Sequence, residues 1–440
     1  MNKKPVKRPS KPLFVVMCVL SAILLVVNGL LVTLVPANIN MINSFFYKGP
    51  SGEVVAAARE DSEAMTQTIE AEGIVMLKNE NALPLSSGTK INVFGYGSRD
   101  TVYGGTGSGS GDSTNNVTIA QGLTNAGFSV NPEQVSFYDA HYIPREGVGY
   151  TGSNFDINET PLNEYSDSLI SNAKNYSDVA VFVISRFGGE GADLPMDMTP
   201  SDTVIGNAGQ AESVGVKGGD AGNHYLELQS CEQAVRDMVC QNFDTVIVLV
   251  NSTNAMELGF VEAQNIDAAL WVGCIGSTGA NAISDVISGK VNPSGRTTDT
   301  FAYAVESAPS YYSLGDYDYT NCTYVNNSPI ARNHDEDVYH YVDYIEGIYV
   351  GYCYYETAAA DGFIDYDATV QYPFGYGLSY TTFDKQIADF NCDGKTVTMK
   401  VKVTNTGSVA GKDVVEVYYH APYTVGGTRI STALSVQATT

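Results

Sequence analysis

The sequence predicts an α/β protein: a mostly parallel sheet sandwiched by helices, then a partial antiparallel β-sandwich, with a transmembrane helix in front. Three observations carry this reading. Apolar β-branched runs at residues 179–184 and 246–250 alternate with helical patterns, as βαβ units require. From residue 396 onward the pattern switches to period two, the mark of half-buried antiparallel strands. Near the N-terminus, residues 13–35 run without a single charge.

The first twelve residues, MNKKPVKRPSKP, form a basic tail with Lys3, Lys4, Lys7, Arg8 and Lys11. Residues 13–35 would make a helix of about 34 Å, long enough to cross a bilayer. Basic residues on the N-terminal side place that end in the cytoplasm and the bulk of the chain outside, as a single-pass plasma-membrane protein. A cleaved signal peptide is the competing reading, since Val35-Pro36-Ala37 resembles a small-residue cleavage site. The apolar length favours an uncleaved anchor.

Residues 36–60 read as a connector, and residues 61–383 as the α/β domain. Helix-like periodicity covers residues 53–72, and Ile74-Val75-Met76-Leu77 reads as a short buried strand. A turn at 79–84 leads to a strand at 91–95, a helix at 120–126 and a strand at 128–130. Residues 166–175 are helical ahead of the 179–184 strand. Residues 226–242 give a clear amphipathic helix before the 246–250 strand, and residues 281–288 a further helix stopped by Gly289. Long polar insertions fall at 101–116, 196–223 and 303–343, where loops of this length tend to be functional or disordered. After Phe383, Thr396-Val397-Thr398-Met399-Lys400-Val401-Lys402-Val403 and residues 414–419 read as strands of a domain cut short at residues 384–440.

Charge narrows the function. The chain carries a net charge of −25. Setting aside the five basic residues ahead of the span, 19 of the 24 Lys+Arg face all 49 Asp+Glu. Nucleic acid and anionic lipid headgroups are poor partners for such a surface. The exported cysteines lack CxxC or zinc spacing, and His141, His224, His334, His340 and His420 form no metal spacing. No metal or cofactor is expected. The glycine run at 104–111 lacks the Gly-Lys-Ser/Thr ending of a phosphate loop and reads as a flexible rim. Asn116-Val117-Thr118 and Asn158-Glu159-Thr160 are acceptor sites only in a host that glycosylates.

The segment DVAVFVISRFGGEGAD (residues 178–193) is the most informative of all. A buried strand empties into a glycine-flanked carboxylate, Glu190, at the edge where open α/β sheets place their chemistry. Taken alone, Glu190 could equally cap a helix N-terminus. Arg186 could orient Glu190, touch a bound substrate or form a salt bridge within the fold. Asp193 reads as a cap or loop-shaping residue, with substrate binding as the alternative. Glu257, after the 246–250 strand, reads as packing or capping, and Tyr349, Tyr352, Tyr354 and Tyr355 as packing.

Six ordered segments sharpen this: EGIVMLKNENALPL (72–85), INVFGYG (91–97), ISRFGGEGAD (184–193), GKVNPSGR (289–296), EGIYVGYCYY (346–355) and YPFGYGLSYTTF (372–383). Together they resemble the α/β-sandwich domain of glycoside hydrolase family 3, the β-glucosidase family. VTNTGSVAGKDVVEVYYHAP (403–422) resembles the fibronectin-III-like domain that often follows it. The resemblance implies retaining hydrolysis of O-glycosyl bonds by two carboxylates, an Asp nucleophile on a (β/α) barrel and an acid/base Glu on the sandwich domain. Glu190 matches the acid/base position; Arg186 and Asp193 are candidate substrate contacts. No SDW-like nucleophile motif occurs, since the single tryptophan lies in Leu270-Trp271-Val272, and no run of eight βα units is legible. The expectation is therefore part of a membrane-anchored β-glucosidase-like enzyme acting on a carbohydrate substrate. That part is inactive by itself, and a separately encoded barrel is the candidate partner. The alternative is a non-catalytic surface module that binds carbohydrate or a partner.

Overall fold

The computed structural model describes residues 10–39, 52–105, 109, 111, 115–144, 155–188, 194–200, 217–313, 318–323, 338–419 and 434–435. The chain divides into two compact units, Met1–Asp61 and Ser62–Thr440. The first contains helix α1 (Lys11–Ala37), whose stretch Lys11–Thr33 is long and apolar enough to cross a membrane. A signal sequence passes the same test. Helix α2 (Glu53–Gly73) spans the division between the units.

The second unit is organised by one six-stranded sheet. In chain order its strands are β1 (Val75–Asn79), β2 (Lys90–Phe94), β3 (Ser129–Val130), β4 (Val179–Arg186), β5 (Thr245–Ser252) and β6 (Ala268–Trp271). Their order across the sheet is β1-β6-β5-β4-β2-β3. Strands β2 to β6 pair in parallel, with β4 and β5 in register from Val179↔Thr245 to Arg186↔Ser252. Only β1 runs antiparallel, against β6. No crossover helix joins those two strands, so nothing imposes a common direction on them.

Both faces of the sheet are covered, which explains why β4 and β5 read as continuous apolar runs instead of alternating ones. Ala180, Phe182 and Ile184 face one side with Val246, Val248 and Val250. There they meet Tyr138, Leu169, Ala173, Val235 and Val239 from helices α4 (Pro132–Ala140), α5 (Asp167–Tyr176) and α6 (Ser230–Asn242). Val181, Val183, Ile247 and Leu249 face the other side. Helices α3 (Ile119–Asn125) and α7 (Gly279–Ile287) cover it with Ile119, Leu123, Ile283 and Val286. These last two helices touch closely at Gly122, where any Cβ would lie 2.3 Å from the Ala280 carbonyl oxygen. Only glycine allows that approach.

Local signals explain the helix starts. Thr118 caps α3, accepting from Gln121 N while the Gln121 side chain returns the bond, a capping box. Asn131 caps α4, with Pro132 at its first position. Ser166 caps α5. Helix α4 escaped the sequence reading although Asn131-Pro132-Glu133 carries its signature. Helix α6 begins four residues later than its periodicity suggests. The segment ahead of it is held open, because its carbonyls serve a buried arginine described below.

Beyond the sheet, β7 (Phe301–Ala302) pairs with β10 (Val370–Tyr372), β8 (Asp318–Thr323) pairs with β9 (Val338–His340), and helix α8 (Tyr352–Ala360) buries Tyr355. The segment past residue 382 forms an antiparallel ladder of β11 (Phe383–Cys392) and β12 (Val397–Asn405). Strand β11 was not foreseen. Of the strand expected at residues 414–419, only Tyr418–Tyr419 is extended and paired. The expected insertions at 101–116, 196–223 and 303–343 lie partly outside the described residues.

Among the buried side-chain atoms without a hydrogen-bond partner, one belongs to a carboxyl group. Glu70 on α2 is 8% exposed, its Oε1 has no hydrogen-bond partner, and burial pushes its carboxyl up to about 8. An acid whose folded-state pKa lies above its ordinary 4.5 holds its full stabilising share below 4.5 and loses it as pH climbs through about 8. Between pH 5 and 9 the urea midpoint of the chain in detergent should fall, and Glu70→Gln should flatten that fall. Parallel curves for the two proteins would refute the assignment.

Candidate active site

The strand order creates a switch point between β4 and β2. The chain leaves β2 toward β3 and leaves β4 toward β5, so the two exit loops diverge at the sheet's carboxyl edge and open a crevice there. The exit of β2 is Gly95-Tyr96-Gly97, and that of β4 is Phe187-Gly188, the root of the loop carrying Glu190. Gly95 has φ +87°, and a Cβ on it would stand 2.3 Å from the Val183 carbonyl oxygen. The β2 turn is thus pressed against β4 by backbone contact alone.

Arg186, the last residue of β4, is 1% exposed. Its guanidinium makes a two-pronged ion pair with Glu232 of α6, with Nη1 to Oε1 and Nη2 to Oε2 both at 2.7 Å. Nη1 also donates to the Ser185 carbonyl at 3.0 Å, Nη2 to that of Glu227 at 2.8 Å and Nε to that of Tyr225 at 2.7 Å. A guanidinium has five N–H donors, and all five are used. The substrate-contact expectation for Arg186 is therefore corrected: it has no donor left for a sugar hydroxyl, and of its alternatives the internal salt bridge holds. Burial opposes its charge, but Glu232 outweighs that and raises its pKa.

The segment from His224 to Gln229 works as a strap across the strand ends. Tyr225 accepts from Phe187 N at 2.8 Å through its hydroxyl, tying down the first residue after β4. Leu226 accepts from Glu257 N at 2.9 Å, tying the exit of β5 to the same strap. Gly188 sits beside Asn254 and Thr253 of that exit. The root of the Glu190 loop is thus held on three sides.

Below it lies a second buried carboxylate, which the sequence reading met only as part of a glycosylation tripeptide. Glu159 accepts from Tyr96 N at 2.8 Å, Thr160 N at 3.0 Å and Tyr165 Oη at 3.2 Å. The Tyr165 hydroxyl pairs with that of Tyr138 at 2.7 Å, and Tyr138 Oη accepts from Gly95 N at 2.6 Å. Burial pushes Glu159 up to about 7, and the charge of Glu232 adds to this. Glu159, Glu232, Arg186, Tyr96 and Asn158 line a cavity with about 10 Å³ open to a water's centre. That is room for one water and far too little for a sugar ring, so this network supports the site and does not bind substrate.

His224, Glu257 and Glu306 bring potential ligand atoms within 4.8 Å of one another. The hydrogen bonds argue against a metal. His224 Nδ1 accepts from Leu226 N at 3.1 Å, so the ring proton is assigned to Nε2, which meets Glu257 Oε1 at 3.1 Å. A protonated Nε2 has no lone pair to give. Glu257 Oε1 also accepts from Val305 N at 2.8 Å, making this residue a tie between the β5 exit and the segment after β7.

Glu190 and Asp193 lie outside the described residues. The fold, with its two-faced parallel sheet and its glycine-rich exits at the switch point, matches the Glycosyl hydrolase family 3 C-terminal domain over residues 74–352. The chain belongs to glycosyl hydrolase family 3. It is 33% identical to Beta-glucosidase A of Butyrivibrio fibrisolvens over 85% of this chain and 43% of that protein. It is 33% identical to a Beta-glucosidase of Ruminococcus albus over 80% of this chain and 32% of that one. Its structure is similar to beta-glucosidase 3B from Thermotoga neapolitana, solved in complex with α-D-glucose, with a TM-score of 0.62 and 30% identity. The match covers 84% of this chain and 45% of that one. The family 3 chain described here thus spans less than half the length of these relatives.

The sequence reading missed Glu232, Tyr225 and Glu159. Glu232 was legible only as one polar position on an amphipathic helix, and no spacing rule links it to Arg186. Removing Glu232 leaves a buried, uncompensated guanidinium. Glu232→Ala should cost about 3–5 kcal/mol, and the double change Arg186→Met with Glu232→Leu clearly less. Urea unfolding of the full chain in detergent measures both; a double variant as unstable as the single one would contradict this account.

Proposed function

We propose that this chain is the part of a membrane-anchored, retaining β-glucosidase-like hydrolase that supplies the acid/base carboxylate, Glu190. The observation that supports the reading is the end of β4 at the switch point, four sequence positions before Glu190, in an arginine whose every donor is locked into the fold. A proton donor must keep its position while the leaving oxygen departs, and a rigid loop root serves that need. Substrate and apolar walls closing over Glu190 would hold it protonated near neutral pH. The names of the relatives support an O-glycosidic substrate of the β-glucoside type. Asp193 is read as a cap or loop-shaping residue.

Retaining hydrolysis needs a second carboxylate close to the first, and the sequence offers no nucleophile motif. In this reading the nucleophile comes from the part of the family's length that this chain does not span, a barrel acting as partner. The β11–β12 ladder is read as the opening strands of a fibronectin-III-like domain, with boundaries at residues 383 and 384. Helix α1 is read as the anchor, holding residues 36–440 outside the plasma membrane.

The full chain in detergent should not hydrolyse an aryl β-glucoside. Turnover abolished by Glu190→Gln would show that a nucleophile is present after all, and turnover unaffected by it would remove Glu190 from the chemistry. The anchor has its own test. After alkaline carbonate washing the chain should stay with the membrane pellet at full mass, whereas a soluble product starting near Ala37 would identify a cleaved signal.

A further inference from the structure

The strap from His224 to Gln229 carries one titratable ring whose bonding fits only one of its two charge states. His224 is 5% exposed, so solvent contributes little to its bonding. Its backbone is fixed on both sides: its N donates to Glu227 Oε1 at 2.9 Å, and its carbonyl accepts from Gln229 Nε2 at 3.0 Å. The ring is held between two further partners. Nδ1 accepts from Leu226 N at 3.1 Å, and Nε2 meets Glu257 Oε1 at 3.1 Å. An imidazole satisfies both only when neutral, with its proton on Nε2. A second proton has to go on Nδ1, where it points straight at the Leu226 N–H.

The surroundings nevertheless invite that proton. Among the described residues, the titratable groups facing the ring are three carboxylates and one phenol. Glu257 comes from the β5 exit, Glu306 from the turn after β7, and Glu227 from the strap itself, its Oε1 3.8 Å from Nε2. The phenol is Tyr311, edge-on with ring centres 6.4 Å apart. Among the described residues, no lysine or arginine pairs with any of the three acids. Burial opposes a charge on the ring, but the hydrogen bond and charge of Glu257 and the charges of Glu227 and Glu306 outweigh it and raise the pKa above its ordinary 6.5. The folded chain gains fully from the protonated ring below pH 6.5 and loses that gain as pH climbs through the higher folded value. Turned away from Leu226, an imidazolium can donate from one nitrogen to Glu257 and from the other to Glu306, since the three groups bring their nitrogen and oxygen atoms within 4.8 Å of one another.

We propose that His224 is a proton switch on the strap: neutral, it clamps Leu226; protonated, it releases Leu226 and turns to Glu257 and Glu306, slackening the hold on the end of β4. The mechanical link is short. Next to Leu226 stands Tyr225, whose carbonyl accepts from Arg186 Nε at 2.7 Å and whose hydroxyl accepts from Phe187 N at 2.8 Å. The Leu226 carbonyl accepts from Glu257 N at 2.9 Å, so the carboxylate that draws the proton hangs on the same piece of backbone. His224 is a positioning residue in this scheme, acting on Phe187 through Leu226 and Tyr225. The switch stands whether or not Glu190 is the acid/base residue.

Histidine side-chain nitrogen spectra of the full chain in detergent read the ring directly, with His224 assigned by the signals that His224→Asn removes. In mild alkali the ring should be the neutral Nε2–H form, and the imidazolium should grow in with a midpoint above 6.5. Glu257→Gln should lower that midpoint. The Phe187 amide, followed by hydrogen exchange and corrected for the intrinsic pH dependence, should lose at least tenfold in protection between pH 8 and pH 6. In His224→Asn the amide oxygen takes the place of Nδ1 and cannot titrate, so Phe187 should keep its protection over that range. A ring proton on Nδ1 in mild alkali, or Phe187 protection that does not change in the wild type, overturns the proposal. So does a pH response that persists in His224→Asn, since it would then belong to the buried Glu159, whose carboxyl is pushed up to about 7.

Discussion

The carboxyl edge of this protein depends on one buried charge. Arg186 ends the central strand β4 at the switch point, where a guanidinium can be tolerated only if every N–H finds an acceptor. Glu232 supplies two of those acceptors, and the carbonyls of Ser185, Tyr225 and Glu227 supply the others. That requirement holds the strap from His224 to Gln229 out of helix α6, brings Tyr225 over Phe187, and ties in the exit of β5 through Leu226. A hydrophobic residue at position 186 could end the strand as well. It would leave the strap without a reason to adopt its course.

The supporting network under the β2 turn follows the same logic. Glu159 is buried on the site's side of the sheet, and its three donors come from the turn residue Tyr96, its own neighbour Thr160 and the Tyr165 hydroxyl. With Gly95 packed on the Val183 carbonyl, the two diverging exits at the switch point become one rigid rim.

Much of the fold was legible because burial on both faces leaves a plain trace in the sequence. The runs at 179–184 and 246–250 are apolar at every position, and both became central strands of the sheet. Caps at Thr118 and Ser166 fell where helix starts were expected. What escaped had weaker local signals or none. Strand β6 is short and defined by its pairing with distant segments, and β11 is too polar on both faces to stand out. The start of α6 was misplaced because periodicity cannot register the demand that a buried arginine makes on backbone carbonyls.

By itself the sequence determined the α/β alternation, the family, the charge-free helix and the glycine-flanked Glu190, since each is written in contiguous residues. Only the tertiary structure decided what Arg186 does. Whether a guanidinium faces substrate or carboxylate depends on what stands within hydrogen-bond reach, and Glu232 arrives there from 46 positions along the chain. Glu159 and the His224–Glu257 contact were settled in the same way. Local pattern encodes which segments fold and into what; the partners of a buried charge are fixed only when those segments meet.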